Sequence, residues 1–107
     1  MEFVVGSATN VEKPEITQIA ELQPAYPNPF RNAITIPYEI TSAAHVEIQI
    51  FDILGQTLST LVDQFQTQGT YSLSWDGKQD GIPLAPGMYF VRMKVADQVF
   101  TKHFVRY

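Results

Sequence analysis

The sequence contains no cysteine, which excludes both a disulfide framework and a thiolate metal site. Apolar runs are short, far below the ~20 residues that a membrane-spanning helix requires. The first ten residues, MEFVVGSATN, lack the basic region followed by an apolar region that marks a secretory signal peptide. We therefore predict no membrane insertion, and no export leader at this end of the chain.

Basic residues are scarce and scattered. The seven Lys and Arg residues form no cluster, and the formal net charge is −4. Nucleic-acid binding requires a basic surface that neutralises phosphates, so we exclude nucleic acid as a partner. Hydrophobic residues make up 45% of the 107 residues and charged residues 17%, a composition that predicts a single globular domain with one core.

Helical periodicity is missing, and apolar residues instead alternate with polar ones, as in strands with one buried face. The predicted strands are residues 34–40, 46–50, 56–62, 71–75, 89–95 and 98–106. Turn residues separate these segments at regular spacing. We therefore predict an all-β, immunoglobulin-like β-sandwich of about seven antiparallel strands, without internal repeats.

Single residues within the strands carry finer predictions. Trp75 lies on the apolar face of its strand and is expected in the core. Pro37 cannot donate a ladder hydrogen bond, which assigns residues 34–40 to an edge strand or to a bulge. The clean alternation of residues 46–50 indicates a central strand.

Turns are predicted from glycine and aspartate positions. Gly55 is free to take the positive φ of a tight turn, and the Ala96-Asp97 pair makes the last two strands a hairpin. The strand after Gly55 has no settled phase, because Leu58 and Leu61 indicate opposite faces.

The chain begins with a segment of mixed composition. We interpret residues 1–21 as a linker or tail and residues 22–107 as the folded domain. Residues 15–22 are compatible with an edge strand or with a helical turn, and we favour the strand. The YPNPF motif that follows is a rigid corner, because its two prolines fix two φ angles. We expect its end residues, Tyr26 and Phe30, to cap the core rather than bind a partner.

The sequence shows no catalytic or metal-binding constellation. His45 and His103 lie on different strands with no carboxylate at ligand spacing, so a structural or surface role is favoured. Asp76 and Asp80 could hold a calcium ion, but DGKQDG lacks the alternating acidic positions of a calcium loop, and turn formation is favoured. With no nucleophile elbow and no Gly-rich phosphate loop, we predict no catalysis, no metal and no cofactor.

Aromatic residues make up 12% of the chain, and a β-sandwich can present such residues as a carbohydrate-binding platform. Most of them occupy alternating positions that point inward. The possible exceptions are Phe51, Phe65, Phe90 and Phe104. Only a contiguous exposed patch of such residues would indicate a partner surface.

Six motifs follow one another in a fixed order. They are YPNPF, ITIPYEI, VEIQIFDILGQ, LSTLVD, GTYSLSWDGKQDGIPLAPGMYFVRM and the terminal TKHFVRY. Any one of them is a weak signal, whereas the ordered series is specific. From Leu22 to Tyr107 the sequence resembles the C-terminal sorting domain of the type IX (Por) secretion system, type A.

The resemblance implies an immunoglobulin-like sandwich at the C-terminus of proteins that a Sec signal has brought into the periplasm of Bacteroidota-type bacteria. It implies recognition by outer-membrane translocon components and, in many members, cleavage by a surface sorting peptidase. An upstream cargo domain in the same chain would then be anchored at the surface or released. The predicted localisation is therefore the periplasm in transit, then the cell surface or extracellular space.

The resemblance also implies which residues face the translocon. The family's Gly-Xaa-Tyr segment and its final basic-hydrophobic strand correspond to these candidate recognition residues: Gly87, Met88, Tyr89, Phe90, Lys102, His103, Phe104, Val105, Arg106 and Tyr107. His103 and Tyr107 depart from the family's tail pattern. A competing interpretation is that both segments are simply the last two strands of the sandwich, and the sequence leaves both interpretations open.

We therefore predict a C-terminal secretion signal that directs an attached cargo through the type IX translocon to the cell surface. A second hypothesis is an accessory carbohydrate-binding module of a secreted polysaccharide-degrading enzyme, which affinity electrophoresis on polysaccharides would reveal. A third is the immunoglobulin-like part of a flagellar hook-capping scaffold, which shares the sandwich. The sequence upstream of Met1 would discriminate the third from the first.

Overall fold

A computed structural model of the chain describes residues 18–107, and within this range it contains strands and no helix. The strands are β1 Ala20–Leu22, β2 Ile34–Ile40, β3 Ala44–Phe51, β4 Thr57–Gln66, β5 Gly69–Trp75, β6 Lys78–Gln79, β7 Ile82–Pro83, β8 Gly87–Val95 and β9 Gln98–Arg106. Accordingly, no helix in the described range could cross a membrane. The predictions for residues 1–17 lie outside the described residues.

Two antiparallel sheets form the sandwich, as the alternation of the sequence predicts. One sheet has four strands in the order β9-β8-β3-β4, and the other has three in the order β1-β2-β5. Strands β6 and β7 pair with each other in a small separate hairpin. Seven longer strands therefore make the immunoglobulin-like sandwich, and β3 is interior to its sheet as predicted.

The core lies between the two sheets and is purely apolar. Its inward positions come from alternate residues of β2, β3 and β8, which are buried in the pattern that period two requires. Among the described residues no polar or charged side chain is buried. Trp75 is 7% exposed and belongs to this core, which confirms its predicted role.

Strand β2 corrects the prediction drawn from Pro37. The strand is the middle one of its sheet, not an edge. The Pro37 carbonyl accepts a hydrogen bond from the Gln23 N–H (3.0 Å), so the backbone of Pro37 faces the side of β1. The N–H that proline lacks would also lie on the side of β1. Because β1 ends at Leu22, the β1-β2 ladder has already ended there, and no hydrogen bond to β5 is lost.

Strand β4 explains why Leu58 and Leu61 indicate opposite faces. Its register with β3 shifts twice, so that Leu61 and Leu58 are each skipped in the ladder. These are β-bulges, in which an extra residue is left unpaired and the side-chain alternation restarts. Both leucines pack against the core, although they stand three residues apart.

The predicted turns are confirmed. Gly55 has φ +84° between β3 and β4, and Ala96, with φ +54°, joins β8 to β9 in the expected hairpin. In the segment predicted as a loop, Asp80 and Gly81 take φ +53° and +80° and close the short hairpin β6-β7. The Asp-Gly pairs therefore form turns, the interpretation favoured over a calcium loop.

Two aromatic predictions are wrong. Tyr26 does not cap the core, because it is 56% exposed while its neighbour Ala25 points inward. Its backbone is anchored instead, through two hydrogen bonds with Thr35 of 2.9 Å and 2.7 Å. Phe104, grouped with the outward candidates, is fully buried. The alternation concealed this, because Lys102 occupies the same face of the edge strand and remains exposed.

Candidate functional site

The motifs of the sequence converge on one end of the sandwich. At this end β2 and β8 begin, while β3, β5 and β9 end, as the pairs Ile34–Trp75, Phe51–Phe90 and Gly87–Arg106 show. We call it the motif end, and it comprises residues 26–33, 51–57, 75–90 and 103–107. The segments that meet here are far apart along the chain, so the sheet topology creates the site.

Four aromatic rings lie beneath the surface of the motif end, and each comes from a different segment. Phe104 is central, with ring centroids 5.6 Å from Phe30, 6.3 Å from Trp75 and 6.0 Å from Tyr89. The Phe30 and Trp75 centroids are 6.4 Å apart. These separations are typical of favourable aromatic pairs. We call these four residues the aromatic cluster, and it ties the first corner of the domain to its last strand.

Gly77 allows the corner to close over the cluster. A Cβ atom at this position would lie 2.6 Å from Cε2 of Phe30, and the backbone φ is +70°. Both the space and the conformation therefore require glycine. The Asp76 carboxylate accepts a hydrogen bond from the Lys78 N–H at 3.1 Å and stabilises the same turn. The sequence motif WDGK is thus explained by packing and turn geometry.

The Gly-Xaa-Tyr pattern occurs twice, each time at the start of a strand. The Tyr89 hydroxyl donates to the carbonyl of Ala85 (2.5 Å), and the Tyr71 hydroxyl donates to that of Thr67 (2.6 Å). Each tyrosine thus returns to the carbonyl four residues earlier, the arrangement of a tyrosine corner. The glycine opens the strand, as Gly87 does with φ +149°. In both places the tyrosine hydroxyl therefore ties the first residues of the strand to the loop that precedes it.

The YPNPF corner also binds the end of β9 directly. Phe30 N–H donates to the Val105 carbonyl (2.9 Å), and Tyr107 N–H donates to the Phe30 carbonyl (3.0 Å). The side-chain oxygen Oδ1 of Asn28 accepts from Val105 N–H at 2.9 Å. The peptide bonds before Pro27 and Pro29 are cis. Sequence reasoning missed Asn28, because nothing local relates it to a strand 77 residues away.

The structure brings the two predicted recognition segments side by side. Residues 87–90 pair in register with residues 103–106 as the first and last parts of the β8-β9 hairpin. Tyr89 is 8% exposed and Phe104 is fully buried, so both belong to the aromatic cluster. Phe90, Val105 and Arg106 are half-buried. The exposed members are Gly87, Met88, Lys102, His103 and Tyr107.

Exposed apolar side chains concentrate at the motif end. Of the eight large exposed hydrophobic residues in the described range, six lie at the motif end. We call them the apolar rim: Tyr26, Ile53, Leu54, Ile82, Met88 and Tyr107. A cluster of this kind on a small domain is typical of an interaction surface. Sequence reasoning singled out Met88 and Tyr107 and favoured a core role for Tyr26, whereas it gave no sign that Ile53, Leu54 and Ile82 would lie at the same end.

Cationic side chains flank the rim. The Arg31 guanidinium lies 4.2 Å from the ring centroid of Tyr107, and that of Arg106 lies 5.9 Å from the centroid of Phe30. Arg106 donates one hydrogen bond to the Tyr107 carbonyl at 2.8 Å. Its Nε–H is buried and has no partner within residues 18–107. The motif end therefore combines exposed apolar side chains with arginine side chains that lie beside aromatic rings.

A groove of about 450 Å³ runs between the β3-β4 turn and the β6-β7 hairpin, with Asp52, Ile82, Leu84 and Tyr89 in its walls. No group of three or more His, Cys, Asp or Glu side chains able to hold a metal occurs within residues 18–107. His45 contacts Asp63 at 2.6 Å on the exposed face of β3 and β4, away from the motif end.

Comparison with known proteins adds three findings. A family model described as a secretion system C-terminal sorting domain matches residues 24–106, which include all of the motif end except Tyr107. A search of curated proteins finds no match. Among solved structures, the crystal structure of dimeric latent PorU from Porphyromonas gingivalis is similar, with a TM-score of 0.65 and 16% identity. That similarity covers 94% of this chain and 10% of the PorU chain, and it shows a shared fold.

Proposed function

The chain belongs to the secretion system C-terminal sorting domain family, and from this membership we propose which of its surfaces the secretion machinery reads. Its role is that of a C-terminal secretion signal of the type IX system, which implies export to the cell surface or the extracellular space. The family is defined by a sorting signal and not by a catalytic activity.

The finer steps of export are part of the proposal. A cargo domain upstream in the same chain crosses the periplasm, and outer-membrane translocon components then bind the sorting domain, which is of type A. A surface sorting peptidase cleaves before the domain, and the cargo is anchored or released. The domain itself acts without catalysis or a cofactor. These steps rest on the family membership.

The apolar rim and the exposed residues of the β8-β9 hairpin form the proposed recognition surface. Six of the eight large exposed hydrophobic residues of the described range lie at this end, and this concentration carries the proposal. Exposed apolar area is costly on a monomer and is retained where a partner covers it. Tyr89 and Phe104 contribute indirectly, because their buried rings pack beneath the β8-β9 hairpin and hold it in place with Met88 and Tyr107 exposed.

We also propose a domain boundary before Ala20, and the first sheet supports it. Strand β1 pairs with β2 through Ala20, Glu21 and Leu22, so the folded unit includes Ala20. A boundary after residue 21, as the composition suggests, would divide this strand. We therefore place the linker before Ala20, and a peptidase that requires an extended, accessible chain would cut on the N-terminal side of that residue.

The test is a fusion of a Sec-exported reporter to the N-terminus of the full 107-residue chain, expressed in a host with a type IX system. The wild-type fusion should reach the cell surface. A double variant, Met88→Ser with Tyr107→Ser, removes two rim side chains and should leave the reporter in the periplasm. The matched control is Phe65→Ser with Val99→Ser, which alters similarly exposed residues outside the motif end.

Each outcome is informative. Retention of the wild-type fusion in the periplasm would contradict the secretion role. Surface delivery of the rim variant at the wild-type level would leave that role intact but reject the recognition surface. Equal retention of the rim variant and the control would show that the loss is not specific to the motif end.

One observation favours the second hypothesis, a carbohydrate-binding role. Phe51 and Phe90 are direct cross-strand neighbours and line an open pocket of about 270 Å³ on the outer face of the four-stranded sheet. Arg92, 4.5 Å from the Phe51 ring centroid, donates to Gln49 Oε1 at 3.0 Å beside it. Retardation on polysaccharide gels that disappears in Phe90→Ala would support this role, and unretarded migration would reject it.

A further inference from the structure

Strand β9 is an edge of the four-stranded sheet, and its last residues carry the proposed recognition segment. An edge strand presents unpaired N–H and C=O groups, which leave it free to fray or to pair with other chains. At its C-terminal end this edge is closed by the YPNPF corner, through a parallel bridge between Phe30 and Arg106. The corner therefore controls the conformation of the last residues.

Three hydrogen bonds make this contact. The two backbone bonds join Phe30 to Val105 and to Tyr107, at 2.9 Å and 3.0 Å. The third runs from Val105 N–H to Oδ1 of Asn28, at 2.9 Å. We call Asn28, Phe30, Val105 and Tyr107 the clasp. With Pro27 and Pro29 on either side of it, Asn28 supplies a side-chain oxygen where the corner has few backbone groups to offer.

Asn28 has no other hydrogen bond within the described residues, and its side chain lies at the surface. It therefore adds little burial to the core. Its oxygen instead selects one orientation of the Val105 peptide, and thereby the direction in which Arg106 and Tyr107 leave the sheet. A residue of this kind affects presentation of the tail more than stability of the domain.

We propose that Asn28 is a positioning residue of the sorting signal, which fixes the C-terminal tail in the conformation that the secretion machinery reads. This inference rests on the proposed function of the motif end. Because Asn28 and Val105 are 77 residues apart, the tail is held only after the first and last segments of the domain have met. Export is thereby restricted to cargo whose sorting domain has folded completely.

The test compares Asn28→Leu, which removes the acceptor but keeps the branched shape of the side chain, with Asn28→Asp, which retains an oxygen acceptor. The control is Gln66→Leu, which removes the acceptor for the Tyr38 hydroxyl (2.8 Å) outside the motif end. Amide hydrogen exchange of Val105 is measured by NMR in the full 107-residue chain. Surface delivery of the same variants is measured with the reporter fusion.

In Asn28→Leu we expect faster Val105 exchange, by about 2- to 10-fold for one lost hydrogen bond, and reporter retained in the periplasm. Asn28→Asp should preserve slow exchange and delivery, and Gln66→Leu should preserve delivery. If Asn28→Leu does not fold, Asn28→Ala replaces it, because it adds no bulk.

Normal delivery of Asn28→Leu despite faster exchange would overturn the proposal while leaving the secretion role intact. Unchanged Val105 exchange, or loss of delivery in Gln66→Leu as well, would also overturn it. Failure of the wild-type fusion to reach the surface would instead contradict the proposed function itself, so the two failures are distinguishable.

Discussion

The two ends of the sandwich connect their strands with very different lengths of chain. The opposite end, which we call the turn end, is closed by short turns at residues 41–43, 67–68 and 96–97. The motif end uses the corner before β2, the β3-β4 turn and the β6-β7 hairpin. Within residues 18–107, only the motif end combines the aromatic cluster with an exposed apolar rim.

The two ends also differ in how their segments are joined. At the turn end, hydrogen bonds join the segments, as from Thr41 N–H to the Ile19 carbonyl (2.8 Å) and from Ile19 N–H to Gln98 Oε1 (3.1 Å). At the motif end, Phe30 and Phe104 join the first and last segments through buried rings, while the surface above them stays apolar. A buried support beneath an exposed rim is the arrangement expected of a rigid recognition surface.

The largest expected effect comes from removing the centre of the aromatic cluster. Phe104→Ala should lower the free energy of unfolding by about 3–5 kcal/mol, because a fully buried ring is lost and leaves a cavity. Phe65→Ala, at a side chain that is 65% exposed, should cost less than about 0.5 kcal/mol. Urea unfolding of both variants measures the difference. Equal losses would show that the cluster does not support the motif end.

Gly77 offers a sharper test of close packing at the same end. Gly77→Ala should cost about 2–4 kcal/mol, since its Cβ would meet the Phe30 ring and the positive φ adds strain. Gly81→Ala, with φ +80° and no atom within 4 Å of the added Cβ, isolates the backbone contribution. That control should cost about 1 kcal/mol. Thermal or urea unfolding that gave the same loss for both would exclude the contact with Phe30.

The two tyrosine corners compare the ends directly. Tyr89→Phe should cost about 1.5 kcal/mol and Tyr71→Phe about 0.5 kcal/mol, because only the Tyr89 hydrogen bond is partly shielded from water. Both substitutions retain the ring, so urea midpoints report the loss of the hydroxyl. A larger loss at Tyr71 would reverse the ranking of the two ends.

The smallest expected effect is a pH dependence at the turn end. Burial of the phenol, followed by a coulombic contribution from Tyr71, raises the pKa of Tyr38 above its ordinary value of 10.0, although the hydrogen bond with Gln66 opposes this. Stability from neutral Tyr38 is therefore complete below about pH 10 and is lost as pH rises through the folded-state pKa. In Tyr38→Phe, unfolding free energies from about pH 9 to about pH 11 should decline less steeply than in the matched control Tyr26→Phe. Parallel slopes would contradict the prediction.

Much of the fold could be predicted from local patterns. Alternation located the interior strand β3 and the β8-β9 hairpin, and turn chemistry located Gly55 and the Asp-Gly pairs. The alternation pattern failed to predict strand position and phase where a neighbouring strand determines them. Pro37 lies in a middle strand because β1 ends beside it, and the phase of β4 depends on two bulges that only its register with β3 reveals.

The candidate site was predictable only in part, for the same reason. Met88 and Tyr107 were found through a resemblance of motifs, but Ile53 and Ile82 lie in turns whose sequences carry no sign of a shared surface. Phe104 was placed on the wrong face because Lys102 shares its side of an edge strand. Recognition of the ten candidate residues, 87–90 and 102–107, by the translocon stays a prediction.

By itself, the sequence determined that this protein is a cysteine-free, strand-rich sandwich whose residues alternate between a buried and a solvated face. That is so because period-two alternation is a local property of the chain. Only the tertiary structure decided that Asn28 meets Val105, that four rings form one cluster and that six apolar side chains share one end. Contacts between distant segments depend on strand order and register, which arise from packing both sheets on one core.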